Sequence, residues 1–272
     1  MAFVNYTTNN LAVKVVYYGP GLSGKTTNLR YIYFKLDAAS RGDLVCLETD
    51  TERTFFFDLL PIKAGLIGDF KVHFQLLTVP GQVFYEASRK SVLKGSDGII
   101  FVADSQIPLL DANLESFDGL RRNLLEQDVD LNQVPLIFQY NKRDLEHLIP
   151  VETFNNLLNP RRLPFVEAAA LNGLGVFETL REIAKITIPA VREKVLGEKL
   201  KPDQKEIAER RMDEYIEREG QRRKEMKDAK VDVEFAPPGS AAPVKVQKIK
   251  IKHPDEIEKE IERLAREFTS KK

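Results

Sequence analysis

Apolar and polar residues alternate along residues 1–195 in a way that predicts strands and helices in turn. Short apolar, β-branched runs are typical of buried strands. Such runs occur at 12–18, 98–103, 134–140 and 164–167. Between them, apolar residues recur every three or four positions, the spacing of a helix that buries one face. Strands that alternate with helices form a mainly parallel sheet covered on both faces, so the pattern predicts an α/β fold with six to seven strands.

A different pattern lies between the first two of these runs. Residues 70–76 alternate strictly between apolar and polar side chains, which predicts a strand with one buried face. The apolar run Phe55–Pro61 precedes it and ends at a proline. We expect these two runs to form an antiparallel hairpin at the edge of the sheet. The polar stretch Glu48–Thr54 is expected to be an exposed loop.

The composition changes near Gly197, where the pattern of a folded domain gives way to dense charge. We therefore predict a domain at 1–197 and a charged, largely helical extension at 198–272. Within the extension, residues 199–230 favour a long solvated helix, and a proline-rich linker lies near 235–243.

The end of the extension carries two patterns that suggest an interaction. Val244–Lys252 alternates and is basic, and a strand of this kind can pair with an open sheet edge. Four later residues share one helical face: Ile257, Ile261, Leu264 and Phe268. A lone helix this short is marginal in water, so we expect it to dock on the domain, a second copy or another protein.

Charge and cysteine content exclude several classes of protein. The 41 basic residues equal the 41 acidic ones, so net charge gives no argument for nucleic-acid binding. The single cysteine, Cys46, excludes a disulfide framework and a cysteine-based zinc site. No secretory signal, membrane span or lipidation motif is present. A cytoplasmic protein is expected.

The most specific motif is Gly19–Thr26, which reads Gly-Pro-Gly-Leu-Ser-Gly-Lys-Thr. This is the phosphate-binding loop, and it stands between a predicted strand and a predicted helix. Its N–H groups can surround phosphates at the positive end of the helix dipole. Lys25 is expected to reach the β- and γ-phosphates, and the Thr26 hydroxyl to ligate Mg²⁺. The predicted phosphate contacts are Gly19, Gly21, Leu22, Ser23, Gly24, Lys25, Thr26 and Thr27.

A second motif, Asn141-Lys142-Arg143-Asp144, ends a predicted strand and has the form of the guanine-specificity signature. The Asp144 carboxylate can accept hydrogen bonds from guanine N1–H and its exocyclic amine, which adenine does not offer. Asn141 can contact N7 and brace the phosphate loop, and the Lys142 stem can lie over the base. Small residues at Ala169 and Ala170 would let a backbone N–H approach guanine O6.

The remaining candidates face the γ-phosphate. Thr78 begins a Thr-Val-Pro-Gly-Gln stretch, where Gly81 can donate its N–H to the phosphate and Gln82 can orient water. Thr78 stands where an aspartate usually supports Mg²⁺, which predicts weaker metal support or a simple strand end. Thr54 can ligate Mg²⁺, and Arg53 is either a transition-state cation or a solvated loop charge.

These segments resemble the MglA family, bacterial Ras-like GTPases of gliding motility and cell polarity. The likeness is carried by Gly19–Leu29, Thr51–Pro61, Thr78–Tyr85 and Val102–Gln106, with Thr78 a hallmark of the family. It implies a Ras-like P-loop GTPase fold, GTP/GDP and Mg²⁺ as ligands, and an edge strand that shifts between the GDP and GTP states.

The resemblance also implies roles for individual residues and a partner. Arg53 would be an arginine finger supplied in cis, Gln82 would position water, and Thr26 and Thr54 would serve Mg²⁺. The partner would be a roadblock-type activator, MglB-like, that inserts no arginine of its own. Nothing carries over to the extension.

The residues alone leave two other classes of function open. The chain can be a scaffold that holds nucleotide without turnover and acts through its charged extension. A P-loop ATPase or kinase is the third option, and Asp144 argues against it because a carboxylate there rejects adenine. GTP turnover separates the switch from the scaffold.

Overall fold

The computed structural model describes residues 3–49, 55–67, 69–81, 86–196, 247–251 and 256–270 of the 272-residue chain. The strands in these residues are β1 (Phe3–Asn5), β2 (Asn10–Tyr18), β3 (Val45–Thr49), β4 (Phe55–Ile67), β5 (Phe70–Thr78), β6 (Gly98–Asp104), β7 (Leu136–Asn141), β8 (Phe165–Glu167) and β9 (Gln247–Ile251). The α-helices are α1 (Lys25–Lys35), α2 (Glu86–Leu93), α3 (Leu110–Leu125), α4 (Val151–Leu157), α5 (Val176–Leu196) and α6 (Glu256–Ser270).

All the described strands belong to one sheet, in the order β8-β7-β6-β2-β5-β4-β3-β9, with β1 paired to the start of β2. Parallel pairing joins β2 to β5 and β6, β6 to β7, and β7 to β8, whereas β4 runs antiparallel to both neighbours. The predicted α/β fold is confirmed. The nine-stranded sheet exceeds the predicted six to seven strands, since β1 and β9 also join it.

Helices cover the sheet on both faces, and each face has its own apolar cluster. One cluster joins alternate strand residues to α1 and α5, for example Leu29 and Ile183. The other joins the opposite strand residues to α2, α3, α4 and α6, for example Leu93, Leu120 and Ile261. The central strands β2, β6 and β7 are therefore buried on both sides, which explains their continuous apolar sequences.

The β4–β5 hairpin is antiparallel as predicted, but the expectation that it lies at the sheet edge is wrong. Two further strands, β3 and β9, lie outside it. The expectation of a half-buried β5 is also wrong, because His73 and Gln75 on its polar face are buried. Helix α6 packs on that face, with the Phe268 and His73 ring centroids 5.3 Å apart.

The predicted loop at Glu48–Thr54 begins later than expected, because β3 continues to Thr49. Residues 50–54 lie outside the described part of the chain, as do the solvated helix predicted at 199–230 and the linker predicted near 235–243. The strand predicted within Val244–Lys252 is confirmed as β9.

Candidate functional site

The phosphate loop connects the end of β2 to the start of α1, as predicted. Its backbone takes left-handed φ angles at Leu22 (φ 61°) and Gly24 (φ 99°). The Leu22 side chain is 92% exposed, so at this position only the backbone is available to a phosphate. A Cβ on Gly24 would lie 2.2 Å from the Asn141 Nδ2 atom, so only glycine fits there. The loop therefore presents main-chain groups at the helix N-terminus, the geometry of an anion cradle.

Lys25 is buried within this loop. Its Nζ atom donates hydrogen bonds to the Gly19 carbonyl at 2.8 Å and the Pro20 carbonyl at 2.5 Å. Burial, together with the positive charge of Arg89, lowers the pKa of Lys25 to about 7. A phosphate beside this amine would favour its charged form, which is the requirement of a phosphate-binding lysine.

Asp58 is a site residue that the sequence analysis missed. The Thr26 hydroxyl donates to its Oδ2 atom at 2.7 Å, and the Cys46 thiol donates to its Oδ1 atom at 2.7 Å. The Thr78 hydroxyl accepts from the Asp58 N–H at 2.8 Å and lies 3.3 Å from Oδ2. A single acidic residue inside the apolar run Phe55–Pro61 was the signal that could have revealed it.

These contacts test whether the site suits Mg²⁺. The cation prefers carboxylate and hydroxyl oxygens, and Thr26 and Asp58 bring one of each together. Asp58 is only 5% exposed, so its charge acts in a poorly solvated place. Position 78 is a threonine, but Asp58 on the neighbouring strand places a carboxylate beside Thr26, and Thr78 bonds to that aspartate. The residues present fit the metal.

Gly81 lies against the phosphate loop, as its predicted contact with the γ-phosphate requires. A Cβ on Gly81 would lie 2.4 Å from the Gly21 Cα atom, so Gly81 has no room for a side chain. A cavity of about 180 Å³ opens beside them, lined also by Arg89 and Asn123 of α2 and α3. The structure thus brings two of the predicted phosphate contacts together.

Asn141 links the phosphate loop to the Ala168–Ala170 loop. Its Nδ2 donates to the Ser23 carbonyl at 2.7 Å, and its Oδ1 accepts from the Ala170 N–H at 2.9 Å. The Arg143 N–H donates to the Ala168 carbonyl at 2.9 Å. The phosphate loop, the Asn141–Asp144 loop and the Ala168–Ala170 loop therefore form one connected unit at the carboxyl ends of the strands.

Lys142 and Asp144, the two residues predicted to contact the base, lie in the loop that follows β7. The Lys142 ammonium is 2.6 Å from the Asp104 carboxylate, which is 1% exposed, so Asp104 fixes the lysine stem. Asp144 is exposed. Asp104 is the second residue whose role the sequence analysis missed, because nothing local distinguishes it from a strand-end aspartate.

The predicted contact of Ala169 or Ala170 with guanine O6 stays a prediction. The Ala169 N–H donates to the Leu174 carbonyl at 2.9 Å, and the Ala170 N–H donates to Asn141. A contact with O6 would have to share or exchange one of these bonds. Thr27 is half-buried in the first turn of α1, beside the loop. Arg53, Thr54 and Gln82 lie outside the described residues.

An α/β sheet that carries a phosphate loop and an Asn-Lys-x-Asp loop at the carboxyl ends of its strands is typical of a Ras-like P-loop GTPase. Comparison with models of known protein families finds no match. The chain is 53% identical over 192 residues to the Mutual gliding-motility protein MglA of Myxococcus xanthus. That match covers 98% of the Myxococcus protein and 71% of this chain. The chain therefore belongs to the MglA family of small GTPases.

The relationship favours the GTPase over the scaffold interpretation. The relative is matched over nearly its whole length, so it offers no counterpart for more than a quarter of this chain. Among the described helices, none is both long enough and apolar enough to cross a membrane.

Proposed function

We propose that this chain is a switch that binds GTP and GDP with Mg²⁺, hydrolyses GTP slowly unless it is stimulated, and acts in motility or polarity. The observation that carries the proposal is the double hydrogen bond of Asn141 to Ser23 and Ala170. It holds a phosphate-binding loop and a base-binding loop at a fixed distance from each other, so a single ligand with a phosphate and a base fits across them.

Guanine specificity is assigned to Asp144. Its exposed carboxylate offers two acceptors for guanine N1–H and the exocyclic amine, while adenine would leave it without a donor. Lys142, held by Asp104, covers one face of the base with its aliphatic stem. Sites built on hydrogen bonds to a ligand reject analogues that lack the partner by factors of roughly 10⁴–10⁵.

Mg²⁺ would be held by Thr26 and Thr54, with Asp58 supplying nearby negative charge. When bound, the metal neutralises charge on the β- and γ-phosphates. Asp58 is oriented for this task by Thr78 and Cys46. Thr78 is therefore a positioning residue rather than a direct metal ligand.

Hydrolysis is assigned to Gln82 and Arg53, supported by the family relationship. Gln82 would orient the attacking water, and Gly81 would donate its N–H to the γ-phosphate. Arg53 would stabilise charge in the transition state, a contribution worth roughly 10³–10⁵ in rate. A roadblock-type activator would stimulate turnover by ordering these two loops rather than by adding an arginine. The relative's name, a gliding-motility protein, supports a role in motility or polarity.

Base specificity is the direct test. Binding of a fluorescent GDP to the full chain should be displaced by GTP and left unchanged by ATP at the same concentration. Asp144→Asn swaps an acceptor for a donor, so it should weaken GTP binding by about 100-fold or more and improve binding of xanthosine triphosphate. Equal displacement by GTP and ATP would make the chain a P-loop ATPase or kinase instead.

Turnover distinguishes the switch from a nucleotide-holding scaffold. Single-turnover conversion of GTP should be slow in the wild type and slower by at least about tenfold in Arg53→Ala and Gln82→Ala. GTP affinity should stay nearly unchanged, because both residues act mainly in the transition state. A wild type that never converts GTP would support the scaffold.

A further inference from the structure

Strand β9 extends the sheet beyond β3 and forms its edge on that side. Strand β9 pairs with β3 in parallel over five residues, from Val45 opposite Gln247 to Thr49 opposite Ile251. The Gln247 N–H also donates to the Leu44 carbonyl at 3.2 Å. An uncovered β3 edge would present unpaired N–H and C=O groups to other chains. Here a segment of the same chain satisfies them.

Helix α6 continues this cover across one face of the sheet. Three of its apolar residues, Ile257, Ile261 and Leu264, are 1%, 4% and 7% exposed. They belong to the same apolar cluster as residues of β3, β5 and α2, including Val45, Leu77 and Leu93. The helix is therefore part of the hydrophobic core and not a loose appendage. We call residues 247–251 and 256–270 together the C-terminal brace.

Polar contacts fix the orientation of the brace. The ammonium of Lys94, the residue that follows α2, lies 2.7 Å from the Glu258 carboxylate. At the other end of the helix, the Asn10 side chain donates to the Thr269 carbonyl at 3.1 Å. Hydrogen bonds and ion pairs at both ends of α6 select one docked position, whereas apolar burial alone would tolerate several.

The brace reaches the metal-facing residues through one short series of contacts. Lys248 of β9 is opposite Cys46 of β3 in the sheet. The Cys46 thiol donates to one oxygen of Asp58, and the Thr26 hydroxyl donates to the other. The position of β3 therefore helps to set the position of the Asp58 carboxylate. On the other face, α6 packs on α2, the helix that follows the segment containing Gln82.

We propose that the C-terminal brace is a regulatory element bound in cis, whose docking and the binding of Mg²⁺ with a guanine triphosphate stabilise each other. The brace holds β3, and β3 holds Asp58 beside Thr26, where the metal site needs negative charge. Because linkage is reciprocal, a ligand that favours this Asp58 position also favours the docked brace. While docked, the brace occupies the β3 edge, so a partner protein that adds a strand there has to displace it. The linkage rests on the proposed nucleotide function, whereas the docking does not.

The single cysteine reports docking in the full chain. Cys46 is 2% exposed, and β9 borders it at the sheet edge. Its alkylation requires local opening, so the rate measures how often the brace leaves. Ile261→Asp buries a charge under α6 and should raise the alkylation rate by about tenfold or more. Lys259→Asp introduces the same residue on the exposed face of the same helix and should leave the rate within about twofold.

A second pair of measurements tests the linkage. A non-hydrolysable GTP analogue with Mg²⁺ should slow Cys46 alkylation further in the wild type. Ile261→Asp should weaken Mg²⁺-dependent binding of that analogue by the same factor by which it weakens docking of the brace, up to about tenfold. Lys259→Asp should bind as the wild type does. An analogue that speeds alkylation, or equal affinities for wild type and Ile261→Asp, would overturn the linkage.

A milder variant guards against simple loss of folding. Phe268→Ala removes the edge contact with His73 and should give an intermediate alkylation rate with a cooperative thermal transition. Hydrogen exchange of the β3 amides should rise in parallel in both variants. Unchanged β3 exchange in Ile261→Asp would refute docking itself. If docking is found but no guanine nucleotide binds the wild type, the proposed function fails and the docked brace stands.

Discussion

The nucleotide-facing loops and the C-terminal brace are held by different physical means. The loops depend on buried side chains that bond to backbone atoms, as Asn141 bonds to Ser23 and Ala170. The brace depends on apolar burial and on regular main-chain pairing with β3. The first kind of contact demands one residue type at one position, whereas the second accepts many sequences with the right period. The ligand specificity that we propose therefore resides in the loops, and stability is shared with the brace.

The largest effect that separates the two regions is expected at Gly24. An alanine there takes an unfavourable φ and places its Cβ against the buried Asn141 amide, 2.2 Å from Nδ2. Gly24→Ala should lower GTP affinity by about 100-fold or more, because the loops lose their spacing. Titration with a fluorescent nucleotide measures this loss.

Gly65 offers a matched control for that substitution. Its φ is also positive, at 97°, but nothing lies within 4 Å of an added Cβ. Gly65→Ala should cost about 1–2 kcal/mol of unfolding free energy for the left-handed backbone and leave affinity unchanged. If both variants lose binding equally, backbone strain and not the contact with Asn141 explains the effect.

The two regions should also respond to different ranges of pH, and the larger response belongs to the loops. The pKa of Lys25 is lowered to about 7 by burial, below its ordinary 10.5. Phosphate binding needs the protonated amine, so affinity should be full below pH 7 and fall about tenfold per unit above it. Binding titrations from pH 6 to 9 measure the slope. Lys25→Met should bind weakly with a flat profile over that range.

The smallest effect is expected at acid pH, where the stability of the docked brace should depend on His73. His73 contacts Phe268 of α6, and burial next to Lys63 and Lys71 lowers the pKa of His73 to about 4. The folded protein thus disfavours the protonated ring. The contribution of the neutral His73 ring to the free energy of unfolding is complete above pH 6.5 and is lost as pH falls through 4. Each kcal/mol lost should lower the unfolding temperature by roughly 2–4 °C, and His73→Gln should reduce this dependence.

Much of the candidate site could be predicted from the sequence because its motifs are local. The phosphate loop and the Asn141–Asp144 loop are contiguous motifs, and each lies at the end of a strand with its own apolar signal. The stripe on α6 and the strand β9 were also readable, since period alone reveals them. The role of Asp58 was not readable, because it depends on two residues that are distant in sequence. Cys46 reaches Asp58 through sheet pairing, and Thr26 reaches it from helix α1.

Packing between distant parts of the chain explains why β5 and the β4–β5 hairpin differ from the predictions. His73 and Gln75 alternate with apolar residues, which favours a strand facing water on one side. His73 is buried because α6, almost two hundred residues later in the chain, packs against it, and Gln75 on the same strand is buried as well. The hairpin is likewise internal because β3 and β9 come from both sides of it in sequence. No window of adjacent residues carries that information.

The Asn141 bridge has a consequence for how the chain folds. Its bond to Ser23 joins residues 118 positions apart, and its bond to Ala170 joins residues 29 apart. Contacts of high sequence separation form late, because the entropy of closing the intervening chain must be lost first. The phosphate loop can form early on its own strand and helix, but the candidate site that joins it to the Asn141–Asp144 loop exists only after β7 has joined β6. A nascent chain would thus gain the ability to hold nucleotide at a late step in its folding.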